Sequence, residues 1–374
     1  VKCFLEKGLQ INFEPKKSNY KFLWLTVCFI LFTISGCGRF WGNVTRLCPG
    51  NSCQANSTPL ITLLSVYAGT NAGGISISLN GGASWTTTTS GQNGFAASNA
   101  VRSIFASGSN VYAGTNGGEI SVSSDGGANW TTTTAGQNGF AASNAVLGNF
   151  ASGSNVYAGT GAGVSISLDG GANWTTTTAG QNGFAANSTA WSISASGSNV
   201  SAGTNGGGIS VSSDGGANWT TTTFGQNGFG GSSTVFSVFV SGSNIYAGLS
   251  VGGISISSNG GGNWNTTIAS QNGFAASGTV NSVFASGNNV YAGTAAGISI
   301  SSNGGASWTT ITSGQNGFAA SSTVNGVFAK GSNVYAGTSA GISISADGGA
   351  NWTTTTSGQN GFAANNALNT VFAQ

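Results

Sequence analysis

The chain contains no histidine and no methionine, only three prolines, and only 4% charged residues. Each scarcity excludes something. Without imidazole there is no Ser-His-Asp arrangement and no ordinary general base near neutral pH. A disordered chain would combine low hydrophobicity with high net charge. Here 39% of residues are hydrophobic and the net charge is +2, so the chain is expected to fold. Its 64 glycines punctuate short apolar runs, which points to many turns. Lys2, Lys7, Lys16, Lys17, Lys21, Arg39 and Arg46 all precede residue 50. The remainder holds only Arg102 and Lys330, against Glu119, Asp125, Asp169, Asp214 and Asp347. Nucleic-acid binding needs clustered cations to release counterions, so no nucleic-acid partner is expected.

The N-terminal basic residues have a different meaning. Lys16, Lys17 and Lys21 precede a 13-residue apolar run, Phe22 to Ile34, which suits a signal-peptide core and is short for a membrane span. The run ends in Ile34-Ser35-Gly36-Cys37, which resembles a bacterial lipobox. Residues 1–36 are therefore expected to be a signal peptide, with Cys37 carrying lipid. The chain would be exported and held on the bacterial envelope, at the periplasmic or outer face of the outer membrane. The lipid would be its only membrane contact. Residues 37–63 read as a tether. Within it, Cys48 and Cys53 flank a Pro-Gly turn and suggest a small disulfide loop. The rival is metal binding, but two thiolates without His are half a zinc site. No metal and no cofactor are expected.

From residue 64 to 374 one unit repeats. Trp85, Trp130, Trp174, Trp219, Trp264, Trp308 and Trp352 are spaced 45, 44, 45, 45, 44 and 44 residues apart. One unit shows how it is built. Val101 to Ala106 reads as a first strand, Val111 to Thr115 as a second, Ile120 to Ser123 as a third, and Trp130 to Thr134 as a fourth. Turn-forming Ser, Asn, Asp and Gly separate them. Four short strands per repeat predict an all-β, seven-bladed propeller of four-stranded antiparallel blades, expected to be monomeric. The first unit starts at a second strand, Ser65 to Thr70, and the last segment, Ala367 to Gln374, matches a first strand. The expectation is a ring in which this C-terminal strand completes the first blade.

Each Trp closes a motif, Ser-x-(Asp/Asn)-Gly-Gly-x-x-Trp. Its third position is Asn80, Asp125, Asp169, Asp214, Asn259, Asn303 and Asp347. The motif resembles the Asp-box, or bacterial neuraminidase repeat, of sialidases, sortilin-type receptors, some glucanases and photosystem assembly-factor-like proteins. The resemblance implies that the box lies between the third and fourth strands of a propeller blade. Asn in three copies suits a turn-forming role and not a catalytic or calcium-binding one. A sialidase-like site would need three arginines, and the repeats hold only Arg102. A glucanase-like site needs two flanking carboxylates, and outside the boxes only Glu119 remains. The glycines from Gly159 to Gly163 lack the Lys and helix of a phosphate loop and read as a turn.

No enzyme is expected. The leading expectation is a binding or adhesion module, taking a protein or glycan ligand on the loops that join second to third strands and on the connectors between blades. The alternative is a periplasmic assembly scaffold. A glycosidase-like activity and a threonine-based ice-binding array are the less favoured readings. One column varies markedly while its neighbours change less: Arg102, Leu147, Trp191, Phe236, Asn281, Asn325 and Asn369. It sits at the start of the first strand, and in a propeller that is the rim of the central channel, opposite the boxes. An aromatic arc facing an amide arc would then form the candidate ligand site.

Overall fold

The computed structural model describes residues 64–374, apart from 72–73, 98–99, 144, 187–188, 232–233, 321–322 and 364–366. The predicted signal segment, Cys37 and the Cys48/Cys53 pair lie outside the described residues. Those from 64 onward fold as seven four-stranded antiparallel sheets, each a blade of one propeller. Blade 2 is representative, with strands Val101–Ser107, Asn110–Thr115, Ile120–Ser123 and Thr131–Thr133, innermost first. The innermost strands of blades 3 to 7 are Val146–Ser152, Ala190–Ser196, Val235–Ser241, Val280–Ser286 and Val324–Lys330. In blade 1 the innermost strand is Leu368–Ala373, which pairs antiparallel with Val66–Thr70 from the other end of the repeats. Ring closure by the C-terminal strand is thus as expected.

The outer strand is shorter than its sequence suggests. Trp130 precedes it, because its backbone N–H donates to Asn93 O (2.8 Å) in the connector leaving blade 1, and not to the sheet. That connector folds into a tight turn, Gln92–Gly94, followed by the buried Phe95. Gly94 has φ +80° and sits where a Cβ would strike the Trp130 carbonyl, so only glycine fits. Phe95 meets Trp130 edge-on at 5.0 Å. Ala96 N–H then donates to Ser121 Oγ of blade 2 (3.1 Å). The same docking recurs round the ring, including the joint from blade 7 to blade 1, where Trp85 meets Phe362 at 4.9 Å. Burying a Phe is worth roughly 1.5–3 kcal/mol, and an edge-on aromatic pair adds about 0.5–1.5 kcal/mol.

Seven apolar clusters lie between blades. The cluster joining blades 1 and 2 combines Tyr67 and Ile75 with Val101, Ile104, Val111 and Trp130. No blade holds a core of its own, so the ring should melt as one unit. Leu368 is 0% exposed in the joint cluster of blades 7 and 1. Leu368→Ala should therefore cost about 2–5 kcal/mol. Removing residues 368–374 should lower the melting temperature of the whole ring, measured by circular dichroism. An unchanged melting temperature would contradict closure by this strand.

Candidate functional site

The box turns are occupied with their own geometry. Asp125 Oδ1 accepts from Ser123 Oγ (2.8 Å), Asn129 N (2.9 Å) and Ala128 N (3.0 Å), and Oδ2 accepts from Asn129 Nδ2 (2.8 Å). Gly127, at φ +99°, leaves room for Ile77 of blade 1. Trp130 Nε1 donates to Gly127 O (3.0 Å). Two of the three Asn copies keep the pattern with a matched change of partner, while the third, Asn259, faces Asn263 and accepts its backbone N–H (2.9 Å). Asn80 Nδ2 donates to Ser84 Oγ, and Asn303 Nδ2 to Ser307 Oγ, each at 2.8 Å. An acceptor carboxylate is paired with an amide donor, and a donor amide with a hydroxyl. Donors led by the backbone N–H of Asn129 hold Asp125 at about 2, and those led by the Asn173 side chain hold Asp169 at about 2. Asp214 and Asp347 behave as Asp125 does. Their N–H and O–H donors explain these carboxylates without a ligand.

At the other end of the innermost strands the situation differs. Asn116 N–H donates to Ala100 O, setting the second-to-third-strand loop beside the start of the innermost strand. Gly126 N–H donates to Ser109 O, setting the box at its far end. The variable column therefore stands on the loop face, opposite the boxes. All seven of its residues line the central channel, a cavity of about 390 Å³. Register explains why. Val101 pairs with Thr115 and Ser103 with Gly114, so Arg102 is an extra, unpaired residue in a β-bulge. Leu147, Trp191, Phe236, Asn281, Asn325 and Asn369 occupy the same bulge in the other six blades. A bulge re-aims one side chain out of the ladder, and here the ring collects all seven.

Two sequence expectations are refined. In the Asn arc one amide N–H of each residue is engaged within the ring. Asn281 Nδ2 donates to Val324 O (3.1 Å), Asn325 Nδ2 to Leu368 O (2.8 Å), and Asn369 Nδ2 to Val101 O (2.9 Å). Each amide clasps the next blade's first carbonyl. The connectors are not free loops, since their Gln-Asn-Gly-Phe segments are docked on the next blade's Trp. The outer-strand threonines form no exposed lattice: Thr131 is exposed, but Thr132 donates to Gly94 O (2.8 Å) and Thr133 is buried. Glu119, on a blade 2 loop, accepts from Thr115 Oγ1 (3.3 Å) and has no second carboxylate near it outside the box turns in sequence.

Below the rim, Phe239, Phe284, Phe328, Phe372, Phe105 and Phe150 form a chain of ring contacts round the channel, with centroids 4.4–4.7 Å apart. Blade 4 interrupts it with Ser194, whose cross-strand partner is Ser201 where other blades have Tyr. The joint between blades 4 and 5 is rebuilt accordingly. Val240 and Ile245 replace the usual Ala and Val in its cluster. Ser192, Ser194 and Ser196 accept from Val238 N (2.9 Å), Val240 N (3.0 Å) and Gly242 N (3.2 Å). One joint thus exchanges aromatic packing for a ladder of hydroxyl–backbone bonds.

No protein-family model matches this chain, and no curated protein does. Solved structures do resemble it. YCF48 bound to D1 peptide aligns at TM-score 0.53 and 15% identity, over 74% of this chain and 86% of that one. A computationally designed protein, Ika8, aligns at TM-score 0.53 and 14% identity, over 76% and 81%. An ancestral GH74 enzyme aligns at TM-score 0.50 and 19% identity, over 83% of this chain but 40% of its own. At such identities the likeness establishes the propeller fold.

Two predictions follow from these contacts. Ser201→Tyr should destabilise by about 1–3 kcal/mol through overpacking, and Val240→Ala with Ile245→Val should restore much of the loss in denaturant titrations. No effect of Ser201→Tyr would show that the two larger side chains do not fill that space. For the boxes, the folded carboxylates sit at about 2, below the ordinary value of about 3.9. Their contribution is present above about pH 4 and is lost as pH falls toward about 2. Melting temperature should fall across that window. Replacing all four aspartates by Asn should flatten the fall, and an unflattened profile would contradict the assignment.

Proposed function

We propose that the chain is a non-catalytic binding module that meets its ligand at the loop-face mouth of the central channel. A lipid on Cys37 would hold it on the bacterial envelope. One observation carries this reading. Five buried side-chain polar atoms lack a hydrogen-bond partner among the described residues: Arg102 Nε, Ser103 Oγ, Asn149 Oδ1, Trp191 Nε1 and Ser201 Oγ. The first four line the channel, on the successive blades 2, 3 and 4. Buried polar groups without partners are costly, and their concentration on one arc favours a bound molecule there. The box turns, whose donors and acceptors are matched internally, suit a structural role.

Two supports bear on catalysis and partner. Among the described residues Arg102 is the only charged one on the channel wall, which offers no acid–base pair among them. Among the described residues, no three His, Cys, Asp or Glu side chains come together as a metal-holding group. An assembly scaffold is the second reading, favoured by one similar fold that was solved with a peptide bound. The resemblance to Asp-box propellers accords with either reading and supplies no catalytic residues for a glycosidase.

The test uses the full chain in detergent, immobilised against a glycan array and against envelope extract. Arg102→Ala and Trp191→Ala should each weaken the captured interaction by about 1 kcal/mol or more. Box substitutions that leave the fold intact should not. Cys37→Ser should lose membrane partitioning without losing capture. Full capture by the Arg102/Trp191 double variant would refute the channel-mouth reading.

A further inference from the structure

We propose that the channel takes an aromatic monocarboxylate: one ring-sized apolar body with a single acidic group on a short link. The acid would meet Arg102, and the ring would lie against Leu147, Trp191 and Phe236. This rests on the channel-mouth reading above and narrows it to a chemical class.

Charge comes first. Arg102 Nε–H is buried without a partner, and no acidic residue lines the channel among the described residues. A guanidinium in such a wall with no carboxylate beside it favours an anion through charge-assisted hydrogen bonds. A single wall cation neutralises one negative charge. A dianion or trianion would leave buried charge uncompensated, which is costly.

The body of the ligand follows from the arc beside Arg102. The next three bulge residues round the ring are Leu147, Trp191 and Phe236, and the last two meet edge-on at 5.4 Å. The chain of Phe rings lies further along the same strands. Such a wall suits the face and edge of an aromatic ring. It does not suit a polyol. Asn281, Asn325 and Asn369 each give one amide N–H to a neighbouring carbonyl, which fixes their orientation and leaves fewer of their polar groups for sugar hydroxyls. The cavity of about 390 Å³ accommodates a one-ring acid and not an extended oligosaccharide. Blade 3 places Asn149, with a buried and unpartnered Oδ1, where five other blades place Val or Ile and a sixth, blade 1, places Val371.

The experiment is calorimetric titration of the full chain with four probes: 3-phenylpropionate, 3-phenylpropionamide, hexanoate and glucuronate. The expected result is saturable one-site binding of 3-phenylpropionate, with the neutral amide about tenfold weaker or worse. Hexanoate should bind more weakly than the aromatic acid, and glucuronate should not bind. Arg102→Gln should abolish the preference for acid over amide, and Arg102→Lys should retain part of it. Trp191→Ala should weaken the aromatic acid more than hexanoate. Unchanged circular dichroism and melting temperature verify that each variant is folded. Equal affinity for acid and amide, equal affinity for hexanoate, or unaltered binding by Arg102→Gln would overturn the proposal. If 3-phenylpropionate fails at millimolar concentration while capture in the pull-down still depends on Arg102 and Trp191, the ligand class falls and the channel reading stands. If that dependence is also lost, both fall.

Discussion

Everything in this ring depends on how one blade grips the next. The grip is a connector turn, Gln-Asn-Gly-Phe, seated on the Trp that opens the neighbouring outer strand. Asn93 O accepts the Trp130 backbone N–H, while Phe95 meets the indole edge-on. Each contact is modest, but it falls where two sheets would otherwise expose apolar faces to water. Seven such joints in series leave no free end, because the final strand, Leu368–Ala373, is held by the first blade. A closed ring also covers the apolar blade faces that an open array would present at its two ends, leaving only short, protected strand edges.

With the joints so uniform, departures from uniformity carry the information. They fall into two groups. The joint between blades 4 and 5 trades an aromatic pair for Ser194 and Ser201, and recovers volume through Val240 and Ile245. That exchange keeps the ring packed. Arg102, Asn149 and Trp191 are different, because each carries a buried polar atom without a partner among the described residues and lines the channel. The first group repacks a joint, at the cost of an unpartnered Ser201 Oγ that does not line the channel, and the second is what the proposed ligand site rests on.

The legible part of this architecture was the part set by residue type. Trp spacing, Gly-Gly turns and alternating Ile/Ser strands announce blades whatever their neighbours are. The box turns were readable too, since Asn replaces Asp in them without loss of the turn. The bulge was not readable. It arises from the pairing of two strands, and Arg, Leu, Trp, Phe and Asn all occupy it. The amide clasps were equally hidden, because the partner of Asn369 is a backbone carbonyl of Val101 at the opposite end of the repeats. For the same reason the outer strand was read one residue too early: Trp130 looks like a strand residue until its N–H is seen to bond the connector. The variable column lines the channel, and each of its three Asn gives one amide N–H to the next blade.

On the proposed function, ligand contact falls on the inner strands of blades 2, 3, 4 and 5 at their loop-face ends, and the boxes hold the blades together. Hydrogen exchange of the full chain, with and without saturating 3-phenylpropionate, tests this most directly. The account predicts added protection near the starts of Val101–Ser107, Val146–Ser152, Ala190–Ser196 and Val235–Ser241, with none in the Ser–Trp box turns. Protection confined to the box turns, or spread evenly over all seven blades, would contradict it.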